Sequence, residues 1–342
     1  MDIIKLALKQ AKEERNAKPG LKRANSERAV TPGLRRTNTE RSAKPGASQF
    51  DTKIVGYTLV KKIGEGGQGK TELVERIGDR RGRKLLVRKE QKEFKKIRTS
   101  AGIVPREMYI FEHIIGPASP YSILEFDHCN YTSQGLQTLY FEYCDGGDVD
   151  QLRGKGILES RVWECFTQMA DALAFLHYGH NPHSSHPTTP PRGWQRVIHR
   201  DLKPANVFIR GRPKLGEKCQ FVLGDFGLAT LEEETSGCGT GEWIGPEVPK
   251  MTAKGDVWSL GAIIHAICHG RSPCDSPPKG WSKRGSDWYW MPQARNPRPL
   301  PDKYSDALNN EMFHCLTADP DKRYSSRRLT ESLEDARHAG YY

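Results

Sequence analysis

Residues His199 to Val207 read H-R-D-L-K-P-A-N-V and Asp225-Phe226-Gly227 follows as D-F-G, two loop signatures that chance does not place together in one chain. Any fold for this sequence must bring those two loops to one site. The chain of 342 residues, 28% of them charged, contains no apolar run near the roughly 20 residues needed to span a bilayer, and no secretory signal. Eight Cys occur without any C-x-x-C spacing, which favours free thiols in a reducing compartment over disulfides or zinc. The expectation is an intracellular enzyme, cytoplasmic or nuclear.

The two loops resemble those of the eukaryotic protein kinases. That resemblance implies that Asp201 is the catalytic base, accepting the proton of the substrate hydroxyl, and that Asn206 and Asp225 are the two Mg²⁺ holders. Their oxygens suit the metal, because Mg²⁺ takes a few hard oxygen ligands and leaves other positions to water and phosphate. Lys203 supplies a cation where the transferring phosphoryl group needs one. Lys at this place is similar to the Ser/Thr kinases, so the implied acceptor is a Ser or Thr hydroxyl.

Ile63-Gly64-Glu65-Gly66-Gly67-Gln68-Gly69-Lys70-Thr71 is suited to holding phosphate, since glycines let backbone N–H groups come close to phosphate oxygens. Two patterns compete for these letters. Gly64, Gly66 and Gly69 satisfy the kinase G-x-G-x-x-G, while Gly64, Gly69, Lys70 and Thr71 satisfy the Walker G-x-x-x-x-G-K-[ST]. A Walker loop must open a long helix, whereas here Thr71 to Glu75 runs to the turn-like Gly78 to Gly82 and then to Leu85-Leu86-Val87. That spacing predicts a hairpin, the kinase arrangement.

Leu86-Val87-Arg88-Lys89 resembles the family's V-A-I-K strand, which makes Lys89 the expected holder of the α- and β-phosphates, with Lys92 as the other candidate. Arg106 to Phe111 has the apolar residues of the following helix, αC in the family, with Glu107 as the ion-pair partner of Lys89. Leu139 to Asp148 resembles the last N-lobe strand and hinge. Phe141 is then the gatekeeper, Glu142 and Cys144 offer backbone groups to adenine, and Asp148 lies at the ATP ribose. Ile63 to Gly69, Thr71, Val87, Lys89, Phe141, Glu142, Cys144, Asp148, Asn206 and Asp225 make up the expected nucleotide site.

Pro246-Glu247 matches the family's A-P-E with Gly245 in place of Ala, which bounds an activation segment from Asp225 to Glu247. Within it Gly239-Thr240 resembles the G-T of Ser/Thr kinases, whose hydroxyl bonds the catalytic Asp and Lys. Asp256 to Gly261 resembles the buried helix whose Asp braces the catalytic loop, and Arg323 is expected to pair with Glu247. Ser236, with Thr235 as second choice, matches the activating site of the NIMA-related kinases, the sub-family to which Glu142 to Asp148 and Leu223 to Ala229 are most similar. Thr71, Gly67-Gln68 and Trp243 depart from the usual family letters.

The charge is uneven. Residues 1–50 carry 12 Lys/Arg against 5 Asp/Glu and are rich in Pro, Gly, Ser and Asn, which predicts a disordered basic tail over 1–56. Pro19 to Arg28 recurs as Pro32 to Arg41, a 13-residue repeat that keeps Arg three residues before Ser26 and Thr39. The repeat reads either as a pair of sites for an upstream basophilic kinase, acting through added negative charge, or as a plain solvated basic tail. No aromatic residue interleaves the tail's basic residues before Phe50, so no nucleic-acid partner is expected. His180 to Gln195 reads as a Pro- and Ser-rich loop, and Pro273 to Tyr304, with Trp281, Trp288 and Trp290, as an insertion packed on the C-lobe.

The resulting expectation is an α+β, bilobal protein-kinase fold over residues 57–338, with a small antiparallel-sheet N-lobe (57–144) bearing helix αC and a larger, mainly helical C-lobe (145–338). The implied activity is transfer of the γ-phosphoryl group of Mg-ATP to Ser/Thr hydroxyls of protein substrates. The alternative is a nucleotide-binding pseudokinase scaffold.

Overall fold

The computed structural model describes residues 56–341 apart from 67–68, 78–83, 100–101, 117–119, 121, 133–134, 180–193, 215–216, 234, 236 and 282–283. The basic tail with its repeat, Gly67-Gln68, the turn over 78–82, residues 180–193 of the His-containing loop and Ser236 lie outside the described residues.

Strands β1 (Tyr57–Gly66), β2 (Gly69–Arg76) and β3 (Leu85–Gln91) follow one another antiparallel. No helix opens after Gly69, so the glycine stretch is the tip of a hairpin and the Walker alternative falls. Gly69 has φ +127, and a Cβ there would come within 2.0 Å of the Glu90 carbonyl oxygen, so only glycine fits where β2 crosses the end of β3. A separate hairpin, β4 (Lys96–Thr99) with β5 (Gly102–Pro105), then leads into α1 (Arg106–Tyr109). The helix continues as a π-helical turn over Ile110–Ile115, which buries Ile110, Phe111 and Ile115 before Gly116 ends it at φ 58. Strands β6 (Phe126–Tyr131) and β7 (Gln137–Glu142) complete a five-stranded sheet in the order β1-β2-β3-β7-β6. In this sheet Lys89 stands opposite Thr71 on one side and Leu139 on the other.

The second lobe is built on two helices that are apolar over most of their circumference, as expected of helices enclosed by others. Helix α2 (Glu159–Tyr178) ends where Gly179, at φ 66, donates its N–H to Phe175 O at 2.7 Å. The β8 (Val207–Arg210) and β9 (Gln220–Leu223) ribbon follows the H-R-D segment. Helix α3 (Ala253–His269) starts with Thr252 accepting from Gly255 N–H and stops at Gly270, φ 82. The short α4 (Gly285–Trp288) precedes α5 (Asp306–Cys315) and α6 (Ser326–His338), whose N-termini are capped by Ser305 and Ser325. One apolar core runs from Phe111 and Leu139 through Phe226 to Trp163 and Trp258. At about 1.5–3 kcal/mol for each large side chain, this burial is the principal favourable term in joining sheet to helices.

Candidate active site

The H-R-D segment is held from below by one carboxylate. Asp256 on α3 accepts the backbone N–H of His199 at 2.7 Å and of Arg200 at 2.9 Å, and meets His177 Nε2 at 3.0 Å. Arg200 sits at φ 68 and Asp225 at φ 59, a conformation that costs a non-glycine residue about 1–3 kcal/mol and persists only where its surroundings hold it. Asp256 does so for Arg200. The Phe226 ring meets His199 at 4.9 Å and Phe111 at 5.0 Å, and Phe111 meets Phe141 at 5.1 Å. A file of rings thus ties both loops to the helix that carries Glu107.

Asp201 is 7% exposed and its oxygens are divided among three donors. Thr240 donates to Oδ1 at 2.9 Å, while Lys203 Nζ, at 2.9 Å, and Asn206 Nδ2, at 3.3 Å, donate to Oδ2. Lys203 also reaches the Thr240 hydroxyl at 3.1 Å. Asn206 spends its amide nitrogen on the Asp201 carbonyl at 2.8 Å, which leaves its amide oxygen for another partner.

Above this cluster Lys89 Nζ lies 2.9 and 3.1 Å from the two oxygens of Glu107 and 2.7 Å from Asp225 Oδ1. Burial works against the Lys89 charge, but Glu107 and Asp225 outweigh it and raise its pKa. Burial likewise opposes ionisation of Asp225, and Lys89 outweighs it and holds the carboxyl below its usual value. Lys92 lies just beyond β3 and is exposed, so Lys89 alone of the two candidates meets Glu107.

At the hinge Phe141 is buried, and the Glu142 carboxylate accepts from Arg210 Nε and from Glu125 N–H at 2.7 Å. Cys144 is buried as well, and burial pushes its thiol up to about 12, which makes it a poor nucleophile. Asp148 accepts from Asp150 N–H at 3.0 Å at the start of a short 3₁₀ turn. Val87 stands opposite Phe141, and Ile63, Gly64, Glu65 and Gly66 lie on the β1 side of the hairpin tip.

The activation segment ends in a buried ion pair, with Arg323 Nη1 and Nη2 at 2.6 and 2.9 Å from the Glu247 oxygens. Trp243, one of the departures from the family letters, is buried, and Ser259 of α3 donates to its carbonyl at 2.8 Å. Trp288 is buried in the insertion and meets Trp281 edge-on at 5.1 Å.

A family model described as "Protein kinase domain" matches residues 57–333. The chain belongs to the protein kinase family. Among curated relatives it is 31% identical over 80% of its length to "G2-specific protein kinase nim-1" of Neurospora crassa, of which it covers 32%. It is 30% identical over 80% of its length to "G2-specific protein kinase nimA" of Emericella nidulans, covering 40%, and 27% identical over 82% to "Serine/threonine-protein kinase Nek2" of Homo sapiens, covering 59%. The kinase thus spans about a third of nim-1 and two fifths of nimA, and the NIMA-related likeness of its loop wording agrees with these relatives. Among the described residues no helix is long and apolar enough to cross a membrane.

Three features of this kinase site were not read from sequence. The bond from His177 to Asp256, the Arg210–Glu142 pair and the β4–β5 hairpin join or build segments that no local pattern links. Only the position of His177 at the end of a buried apolar helix could have served as a signal.

Proposed function

We propose that this chain is an ATP-dependent protein serine/threonine kinase that passes the γ-phosphoryl group of ATP to Ser or Thr hydroxyls of proteins. The observation that carries the reading is the bonded set Asp201, Lys203, Asn206 and Thr240 beneath the Lys89–Glu107–Asp225 cluster. A scaffold that only bound nucleotide would have no use for a carboxylate held this way. Asp201 is the general base, close enough to its supports to keep one orientation while it accepts the acceptor proton. Lys203 stabilises charge on the transferring group, and Thr240 fixes the carboxylate. Lys89, oriented by Glu107, binds the non-transferred phosphates.

The donors fit Mg²⁺. Asn206 has its amide oxygen left over, and Asp225, with its side chain 32% exposed, uses one oxygen on Lys89 and keeps the other. A Mg²⁺ ion held there would supply positive charge against the triphosphate. Asn206 and Asp225 would hold the metal, and Gly64 to Gly69, Thr71, Val87, Phe141, Glu142, Cys144 and Asp148 would enclose the nucleotide.

The kinase domain is read as 57–338, preceded by a basic tail over 1–56 whose Ser26 and Thr39 are substrates of an upstream basophilic kinase. Eight Cys without any C-x-x-C spacing suit a reducing intracellular compartment. A phosphate on Ser236, or failing that Thr235, would order the activation segment through Arg200, and mass spectrometry of active enzyme should find it there. Full activity without phosphate at either position would remove that switch. The main reading is tested by phosphate transfer to a generic basic protein, with Asp225→Ala as control. Nucleotide binding without transfer by the wild-type chain would favour the scaffold.

A further inference from the structure

Arg295, from the insertion before α5, distributes its guanidinium over four backbone carbonyls in two segments. Nε donates to Ile244 at 2.9 Å and Nη2 to Gly241 at 3.1 Å, while Nη1 donates to Tyr289 at 2.7 Å and Met291 at 2.8 Å. None of these partners is a carboxylate. A half-buried charged fork spent on neutral oxygens is a costly way to join two loops, and its geometry cannot be copied by lysine, whose donors radiate from one nitrogen.

The joined segments meet closely. A Cβ on Gly237 would come within 3.0 Å of the Trp290 ring, and one on Gly241 within 3.1 Å of the Tyr289 carbonyl oxygen, so at both positions the two segments lie too close to take a side chain without a small shift. Cys274 Sγ donates to the Glu242 carbonyl at 3.4 Å, and Cys274 itself forms a β-bridge with Arg295. The start, middle and end of Gly241–Ile244 are therefore all tied to the insertion. Thr240, which donates to Asp201, is the residue immediately before this stretch. Gly241–Ile244 is thus the backbone that continues directly from the residue bonded to the Asp201 carboxylate.

We propose that Arg295 is a positioning residue for the acceptor peptide: by pinning Gly241 and Ile244 to the Tyr289–Met291 turn, it sets the surface on which the chain beside the acceptor hydroxyl rests. The inference rests on the kinase reading above.

The test uses the full chain as wild type, Arg295→Lys and Arg295→Ala, with steady-state kinetics in peptide and in ATP and hydrogen exchange across residues 240–244. Both variants should lose about 10²-fold in kcat/KM for peptide, as a misplacement of about 1 Å can cost, with ATP affinity within about twofold of wild type. Amides of 240–244 should lose protection while those of α3 keep theirs. Millimolar guanidinium should restore part of the Arg295→Ala loss, because it supplies the missing fork. Wild-type peptide kinetics in Arg295→Lys, equal losses toward ATP and peptide, or unchanged exchange would overturn the proposal. Loss of a cooperative melting transition in both variants would make Arg295 a folding residue and overturn it too. A wild-type chain that protects the loop but transfers no phosphate would sink the kinase reading and the peptide role together.

Discussion

Thr240 and Asp201, 39 positions apart, share a hydrogen bond of 2.9 Å, and Lys203 donates to both. The hydroxyl is the group that links the activation segment to the carboxylate, so its removal should cost rate without altering the fold. Thr240→Val should lower turnover about 10- to 100-fold, the worth of one hydrogen bond to a charged group, and Thr240→Ser should recover most of it. Single-turnover rates at saturating ATP would decide, and equal rates in all three proteins would contradict the arrangement.

Asp201→Asn should fold and bind nucleotide yet lose about 10²–10⁴ in turnover, because the base is gone and the shape kept. Matched nucleotide affinity with wild-type turnover would take Asp201 out of the mechanism.

Arg323 has a fully enclosed side chain and bonds both oxygens of Glu247, besides the carbonyls of Lys254 and Thr317. Arg323→Met leaves the Glu247 charge without its partner inside the C-lobe, and should cost about 3–5 kcal/mol. Urea unfolding measures this, with a change under about 1 kcal/mol counting against a structural role.

Asp171 on α2 is pushed up to about 7, first by burial and then by Glu334 of α6, with Arg337 opposing. A carboxyl raised in the folded state binds its proton more tightly there than when unfolded, so folding stability falls as pH rises from about 4 through 7. Asp171→Asn should flatten that slope and leave the protein more stable than wild type at pH 8. Melting temperatures at pH 5 and pH 8 give the answer; the same slope in the variant would assign it to another group.

The catalytic loop and D-F-G carry Asp201, Lys203, Asn206 and Asp225 within short contiguous runs, and the spacing of turn residues around Gly78 to Gly82 separates a hairpin from a helix. Such features are local, so the order of residues along the chain determined them. The choice between Lys89 and Lys92 was different. It depends on which lysine the strand register sets against Glu107, and β3 places Lys89 mid-sheet with Lys92 past its end. The short helix that continues as a π turn, the β4–β5 hairpin and the fastening of Gly241–Ile244 by Arg295 were likewise decided only in three dimensions. Arg295 lies 54 residues from Gly241 and donates to backbone carbonyls, which every residue possesses. A partner of that kind leaves no letter in the sequence, so packing alone could select it.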